Sequence, residues 1–135
     1  MMNASSPYGS TIGEHFRRPR NYGPLAGANA TAEGTNPLCG DRVRLAIAVD
    51  DRQRSITDAR FVANACAICV ASASLLTERV RGQSVSTAAA LEDADVLSAL
   101  ASDIPAARRR CATLPLEALR RALAALPSAS GGTGQ

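Results

Sequence analysis

The residue types that can do chemistry in this chain are few: Cys39, Cys66, Cys69 and Cys111, with Asp41 two positions after the first of them. Thiolates are nucleophiles and soft metal ligands, and a carboxylate is a harder oxygen donor. Cys39 lies in a Pro-Leu-Cys-Gly-Asp turn ahead of a strand. Cys66 stands between a strand and a long helix, and Cys111 near the start of the last helical pair. Each is at the end of an element, where a rigid scaffold can bring loop residues together. A tetrahedral site needs four donors, and Cys39, Asp41, Cys66 and Cys111 supply three sulfurs and one oxygen. Zn²⁺ accepts that mixture. A [2Fe–2S] cluster also accepts it, although it prefers four thiolates. The lone carboxylate would be the weak link, suited to a site that releases what it holds. Gly40 lets the turn bend so that Cys39 and Asp41 can face one centre. The positive end of a helix beginning after Cys66 would suit an anionic sulfur.

The other two candidates are plainer. Cys69 reads as a small hydrophobe on the buried side of its helix. Together with Cys66 it also forms a C-x-x-C between strand and helix, the placement of thioredoxin-like redox sites. No βαβ pattern surrounds it, however, and no aromatic precedes the first cysteine. His15, the single histidine, falls in an N-terminal helix away from the cysteines and is not expected to be a ligand.

The elements that would position these groups follow from hydrophobic spacing. Residues Thr11 to Arg18 predict a short helix with Ile12 and Phe16 on one face, stopped by Pro19. A run of Gly and Pro follows, with room for a strand around Ala28 to Ala32. Arg42 to Val49 alternates as a half-buried strand, with Val43, Leu45, Ile47 and Val49 on one side. Ile56 to Ala63 predicts a second strand with poorer alternation, placing Ile56, Asp58 and Arg60 opposite Thr57, Ala59 and Phe61. The polar link between the two makes an antiparallel hairpin. Ile68 to Arg81 predicts a helix ended by Gly82. Ser86 and Asp93 are the expected caps of two short helices, Pro105 opens a turn towards Cys111, and Leu116 to Leu126 forms the last helix. Strands first and helices after give an α+β fold, with helices on one face of a small antiparallel sheet.

Composition sets the class. With 135 residues, 46% of them hydrophobic and only 3% aromatic, the chain builds one core from Ala, Leu, Val and Ile. Residues 11–126 are the expected domain, with flexible segments at 1–10 and 127–135. All 15 basic residues are Arg and the net charge is +3. They are spread out and lack aromatics for stacking, which argues against nucleic acid as a partner. The one run, Arg108-Arg109-Arg110, reads as a solvated helix edge or as an electropositive collar for Cys111. No apolar stretch is long enough to span a membrane, and no secretory leader pattern opens the chain. The expected setting is cytoplasmic, where thiols stay reduced and serve metal or redox chemistry.

At these residues the chain resembles the IscU/SufU/NifU-type iron–sulfur scaffold family. The resemblance rests on Asn36-Pro37-Leu38-Cys39-Gly40-Asp41, Ile56-Thr57-Asp58-Ala59-Arg60-Phe61, Cys66-Ala67-Ile68, Ala71-Ser72-Ala73-Ser74, Thr77-Glu78 and Cys111-Ala112-Thr113-Leu114-Pro115, spread over roughly residues 11 to 126. It implies a three-stranded antiparallel sheet with helices on one side. It also implies a cluster or zinc site of Cys39, Asp41, Cys66 and Cys111, and a cysteine desulfurase that donates persulfide sulfur to one of the thiols. Cys111 and Cys39 are the candidate acceptors.

The departures separate two branches. In the IscU branch a His precedes the third cysteine; here Arg110 stands there and cannot coordinate a metal. That favours a SufU-like site, yet the separation of Cys66 and Cys111 is close to the shorter IscU spacing. The IscU chaperone-binding stretch falls on Ile104-Pro105-Ala106-Ala107-Arg108 and keeps only part of its pattern, and Ala65 replaces the usual Gly before the second cysteine. Two functions fit. The first is a non-enzymatic scaffold that builds a transient [2Fe–2S] cluster and passes it to apo iron–sulfur proteins. The second is a zinc-dependent sulfurtransferase fed by a desulfurase. A redox dithiol and a structural zinc module are the remaining readings.

Overall fold

The computed structural model describes residues 9–38 and 40–126. Its elements are α1 (Ser10–Arg17), β1 (Ala30–Asn36), β2 (Asp41–Asp50), β3 (Ser55–Asn64), α2 (Ala67–Val80), α3 (Val85–Ala89), α4 (Asp93–Ala99), a 3₁₀ turn (Ala106–Arg108) and α5 (Arg109–Ala124). The strands form one antiparallel sheet in the order β1-β2-β3. The α+β architecture with a three-stranded antiparallel sheet is therefore as expected. The expected segments at 1–10 and 127–135 lie almost wholly outside the described residues.

The sheet's inner face carries Val43, Leu45, Ile47, Ile56, Ala59 and Phe61, all 1% exposed or less. Each large side chain buried this way contributes about 1.5–3 kcal/mol. α5 runs along β1 and β2, α2 lies against β3, α1 packs on α2, and α4 sits on α5 and α2. α2 is buried almost all round: Ile68 to Ser74 are all at or below 8% exposure. Small residues make this possible, because Ala71 and Ala73 let neighbouring helices approach closely.

Several boundaries differ from the sequence expectation. β1 runs from Ala30 to Asn36 rather than around Ala28 to Ala32. Its polar sequence hides it, since only Ala30, Gly34 and Asn36 are buried. Gly34 allows contact there: a Cβ at this position would lie 3.0 Å from the Leu114 carbonyl oxygen. The poor alternation of β3 has a local cause. The register passes from Val49↔Ile56 to Ala48↔Asp58, leaving Thr57 as an extra residue. This bulge turns Ile56 to the same side as Ala59 and Phe61, contrary to the expected alternation.

In α1, Ile12 is buried but Phe16 is 47% exposed, and His15 takes the inward position instead. The short helices start earlier than expected. Ser84, not Ser86, caps α3 by accepting from the Thr87 N–H at 3.0 Å. Glu92, not Asp93, is the cap of α4, and its N–H donates to Asp95 Oδ2 at 2.9 Å. The last helix is continuous from Arg109 to Ala124 with Pro115 inside it, not a new helix from Leu116. Pro115 has no N–H to offer the carbonyl of Cys111, so a proline in this sequence reads as a boundary. Packing overrides it: Leu114, Pro115 and Leu116 are buried against the sheet and α2. The Ser72 hydroxyl also donates to the Ala112 carbonyl at 2.5 Å, tying the two central helices together at this point.

Both sheet edges are covered. β3 is paired by the Asn21–Gly23 segment: Phe61 N–H donates to the Asn21 carbonyl at 3.0 Å, and Gly23 N–H to the Phe61 carbonyl at 2.8 Å. On the β1 edge, Arg121 donates to the Glu33 carbonyl at 3.2 Å and Arg110 to the Thr35 carbonyl at 3.4 Å. Glu117 bridges the two guanidinium groups, at 3.0 Å from Arg121 and 3.5 Å from Arg110.

Candidate metal centre

The site forms where the first residue of β2 meets the N-termini of α2 and α5. Asp41 opens β2 and faces the inner side, at 7% exposure. Cys66 is the N-cap residue of α2 and half-buried, whereas Cys111 is the third residue of α5 and buried. One ligand atom from each of Asp41, Cys66 and Cys111 lies within 4.8 Å of the others. Tetrahedral donors around a zinc-sized ion stand about 3.5–3.8 Å apart. Closure on an ion therefore needs small side-chain rotations and no rearrangement of the fold.

The hydrogen bonds of Asp41 are the telling feature. Its Oδ1 accepts from the Cys66 N–H at 3.3 Å, which holds the carboxylate over the α2 terminus. Its Oδ2 is buried and has no hydrogen-bond partner among the described residues. A buried polar atom left in this condition costs about 1–3 kcal/mol, which a cation would relieve. Two helix N-termini point their partial positive charge at the same spot, offsetting the negative charge that two sulfurs and a carboxylate bring together. The donor set thus suits a soft or borderline cation.

Cys39, the fourth expected ligand, lies outside the described residues. Its connection is closed by Asn36: the side-chain Oδ1 accepts from the Leu38 N–H at 3.2 Å and the carbonyl accepts from the Gly40 N–H at 2.8 Å. Gly40 has φ +77°, a left-handed conformation that glycine adopts without strain. Asn36 is buried at the end of β1; the sequence gives it no role of its own, and its signal is the Asn-Pro pair, which favours an Asx turn.

The remaining candidates sit apart from this group. Cys69 is fully buried in the core on α2. His15 Nδ1 lies 2.7 Å from Ser74 Oγ, which also accepts from the Arg20 N–H at 2.8 Å. Burial and the nearby Arg20 charge lower the pKa of His15 from the usual histidine value, opposed by Glu78 and Glu14. Arg110, one candidate for a collar around Cys111, directs its guanidinium to Glu117 and the β1 edge.

Fold and site together define a small α+β domain that offers sulfur and carboxylate donors to a metal at one end of its sheet. The chain belongs to the NifU-like N-terminal domain family, whose profile matches residues 7–131. It is 37% identical over 115 residues to the bifunctional protein NifU/MnmA of Rubrobacter xylanophilus, covering 85% of this chain but only 23% of that protein. It is 33% identical over 116 residues to the iron–sulfur cluster assembly scaffold protein IscU 1 of Archaeoglobus fulgidus, covering 86% of this chain and 74% of that one. The zinc-dependent sulfurtransferase SufU of Bacillus subtilis is 32% identical over 141 residues, covering 90% and 92%. Among solved structures, an iron–sulfur cluster assembly scaffold protein of the SUF system from Fervidobacterium islandicum AW-1 shares the fold. It has a TM-score of 0.72 at 23% identity, covering 86% of this chain and 96% of that one. Among the described residues no helix is long and apolar enough to cross a membrane.

Proposed function

We propose that this chain is an iron–sulfur cluster assembly scaffold, with Cys39, Asp41, Cys66 and Cys111 as the groups that hold the cargo and residues 11–126 as the working domain. The observation that carries the reading is the buried Oδ2 of Asp41, without a partner among the described residues, beside the sulfurs of Cys66 and Cys111 in a chain of this family. A cysteine desulfurase delivers persulfide sulfur to Cys111 or Cys39: the terminal sulfur moves to the acceptor thiolate as the donor's S–S bond breaks. Iron and reducing electrons from a separate donor complete a transient [2Fe–2S] cluster. The protein's part is positional. Two helix termini and the start of β2 hold the donors, while the single oxygen ligand keeps the cluster easier to release to an apo-protein than four sulfurs would. Thiols that must stay reduced to bind metal or accept sulfur support a cytoplasmic setting for this work.

Anaerobic reconstitution with ferrous iron, sulfide and reductant should give thiolate-to-iron absorption in the visible, and the cluster should pass to an apo-ferredoxin. A protein that stays colourless under these conditions and retains one tight zinc per chain would overturn this reading. It would favour the zinc-dependent sulfurtransferase instead, for which the lack of a histidine ligand at position 110, before Cys111, is the supporting feature. Under that alternative, stimulation of desulfurase turnover would vanish in Cys39→Ala.

A further inference from the structure

Among the described residues, the helices cover only one face of the sheet. On the other, strand alternation sets out Thr31 and Glu33 of β1, Arg42, Arg44 and Ala46 of β2, and Arg60 and Val62 of β3. This face is grooved rather than flat. Three adjoining concavities share Arg44 as a wall: one reaches Gly23–Leu25 and Arg60, one runs along Thr31 and Glu33, and one ends at Ala63 and Asn64.

The charge on this face is mixed, Arg42, Arg44 and Arg60 against Glu33 and Asp58, with Arg44 the positive excess. Arg42 stands 4.0 Å from Glu33, and Arg60 stands 3.5 Å from Asp58, which Arg81 also approaches at 3.2 Å. Arg44, at the centre, has no ion pair or hydrogen bond for its guanidinium among the described residues. Guanidinium groups present planar paired donors that match carboxylates, and Ala46 and Val62 give a low apolar floor between them. The groove also has a direction. Its Asn64 end is two residues from Cys66, and Arg42 follows Asp41 on β2. An occupant of the groove therefore arrives at the metal-binding end of the sheet.

We infer that the uncovered sheet face is a docking surface for a carboxylate-rich segment of a partner protein, laid along the Arg42–Arg44–Arg60 groove. That such a partner gives to or takes from the metal site rests on the scaffold reading; the surface itself does not. Nucleic acid fits less well, because among the described residues the groove is lined by no aromatic side chain on which a base could stack.

An acetylated hexaglutamate peptide serves as the probe, titrated at low ionic strength into the ¹⁵N-labelled full-length chain. Saturable amide shifts should map to Arg42–Ala46, Arg60–Asn64 and Gly23–Leu25. Arg44→Glu/Arg60→Glu should weaken binding about tenfold or more, whereas Arg18→Glu/Arg79→Glu, with the same change in overall charge, should weaken it no more than about threefold. Arg44→Gln guards against misfolding of the double variant and should alone weaken binding by about threefold. Shifts centred on Arg108–Arg110, equal losses in both double variants, or binding only to an oligothymidylate strand or to anionic vesicles would overturn the inference. Cluster reconstitution on the Arg44→Glu/Arg60→Glu protein separates the two proposals. A normal cluster with lost peptide binding supports the surface, and peptide binding without any cluster counts against the scaffold reading alone.

Discussion

Asp41→Asn should change stability in opposite directions with and without metal. Asparagine keeps the shape of the side chain, and its oxygen still accepts from the Cys66 N–H that Oδ1 holds at 3.3 Å. It replaces the charged Oδ2, which has no partner among the described residues, with a neutral NH2 that can donate to the neighbouring sulfurs of Cys66 and Cys111. Leaving such an atom unsatisfied costs about 1–3 kcal/mol, so relieving even part of that should stabilise the metal-free protein by about 1 kcal/mol. For a domain of this size, that raises Tm by about 4 °C. In the zinc-loaded protein the sign reverses. A neutral amide oxygen is a weaker ligand than a carboxylate, and a tenfold loss of affinity removes about 1.4 kcal/mol of ligand-linked stability. Calorimetry on demetallated and zinc-loaded samples should show the variant melting above the parent in the first case and below it in the second. A variant that is less stable when demetallated, with an unchanged zinc-induced rise, would refute the reasoning and remove Asp41 from the coordination sphere.

Gly34→Ala places a Cβ about 3.0 Å from the Leu114 carbonyl oxygen, so β1 and α5 must separate; chemical denaturation should show a loss of about 1–3 kcal/mol. Cys66→Ser should abolish tight metal binding in an equilibrium dialysis assay, whereas Cys69→Ala, in the core, should leave stoichiometry unchanged and cost only stability. His15 is buried with its pKa lowered. As pH falls through the ordinary histidine value near 6.5, the unfolded chain takes up a proton that the folded one does not. Stability should therefore decline below about pH 6.5, levelling once the folded histidine itself protonates, and in His15→Gln urea midpoints should lose that part of the slope.

What the sequence revealed tracks how locally each feature is encoded. The β2 alternation and the Gly82 stop of α2 are properties of neighbouring residues, and both were legible. β1 was not, because its inner face is built from Ala30, Gly34 and Asn36, whose burial depends on a helix far along the chain. Thr57 shows the same limit: a single bulged residue spoils a periodicity without changing the composition. Pro115 misleads for the opposite reason, since a local rule about helix interiors yields to burial of the residues on either side. At the site, residue type and spacing pointed to Asp41, Cys66 and Cys111. Only the coordinates supply the unpartnered oxygen and the common meeting point of two helix termini. The partner of His15 was beyond reach, because Ser74 is 59 positions away.

The arginine-capped rim of β1 has a consequence for how copies of this protein meet. A three-stranded sheet with an open lateral strand invites backbone zippering, which is indifferent to identity and hard to reverse. Here the carbonyls of Glu33 and Thr35 are already taken by Arg121 and Arg110, with Glu117 holding both cations in place. A lysine ammonium, a single point of charge, could not bind a carbonyl and bridge to a carboxylate with the same planar grip. Collisions along this flank are left without a generic adhesive, so what sticks to the molecule is selected by side-chain chemistry elsewhere on its surface.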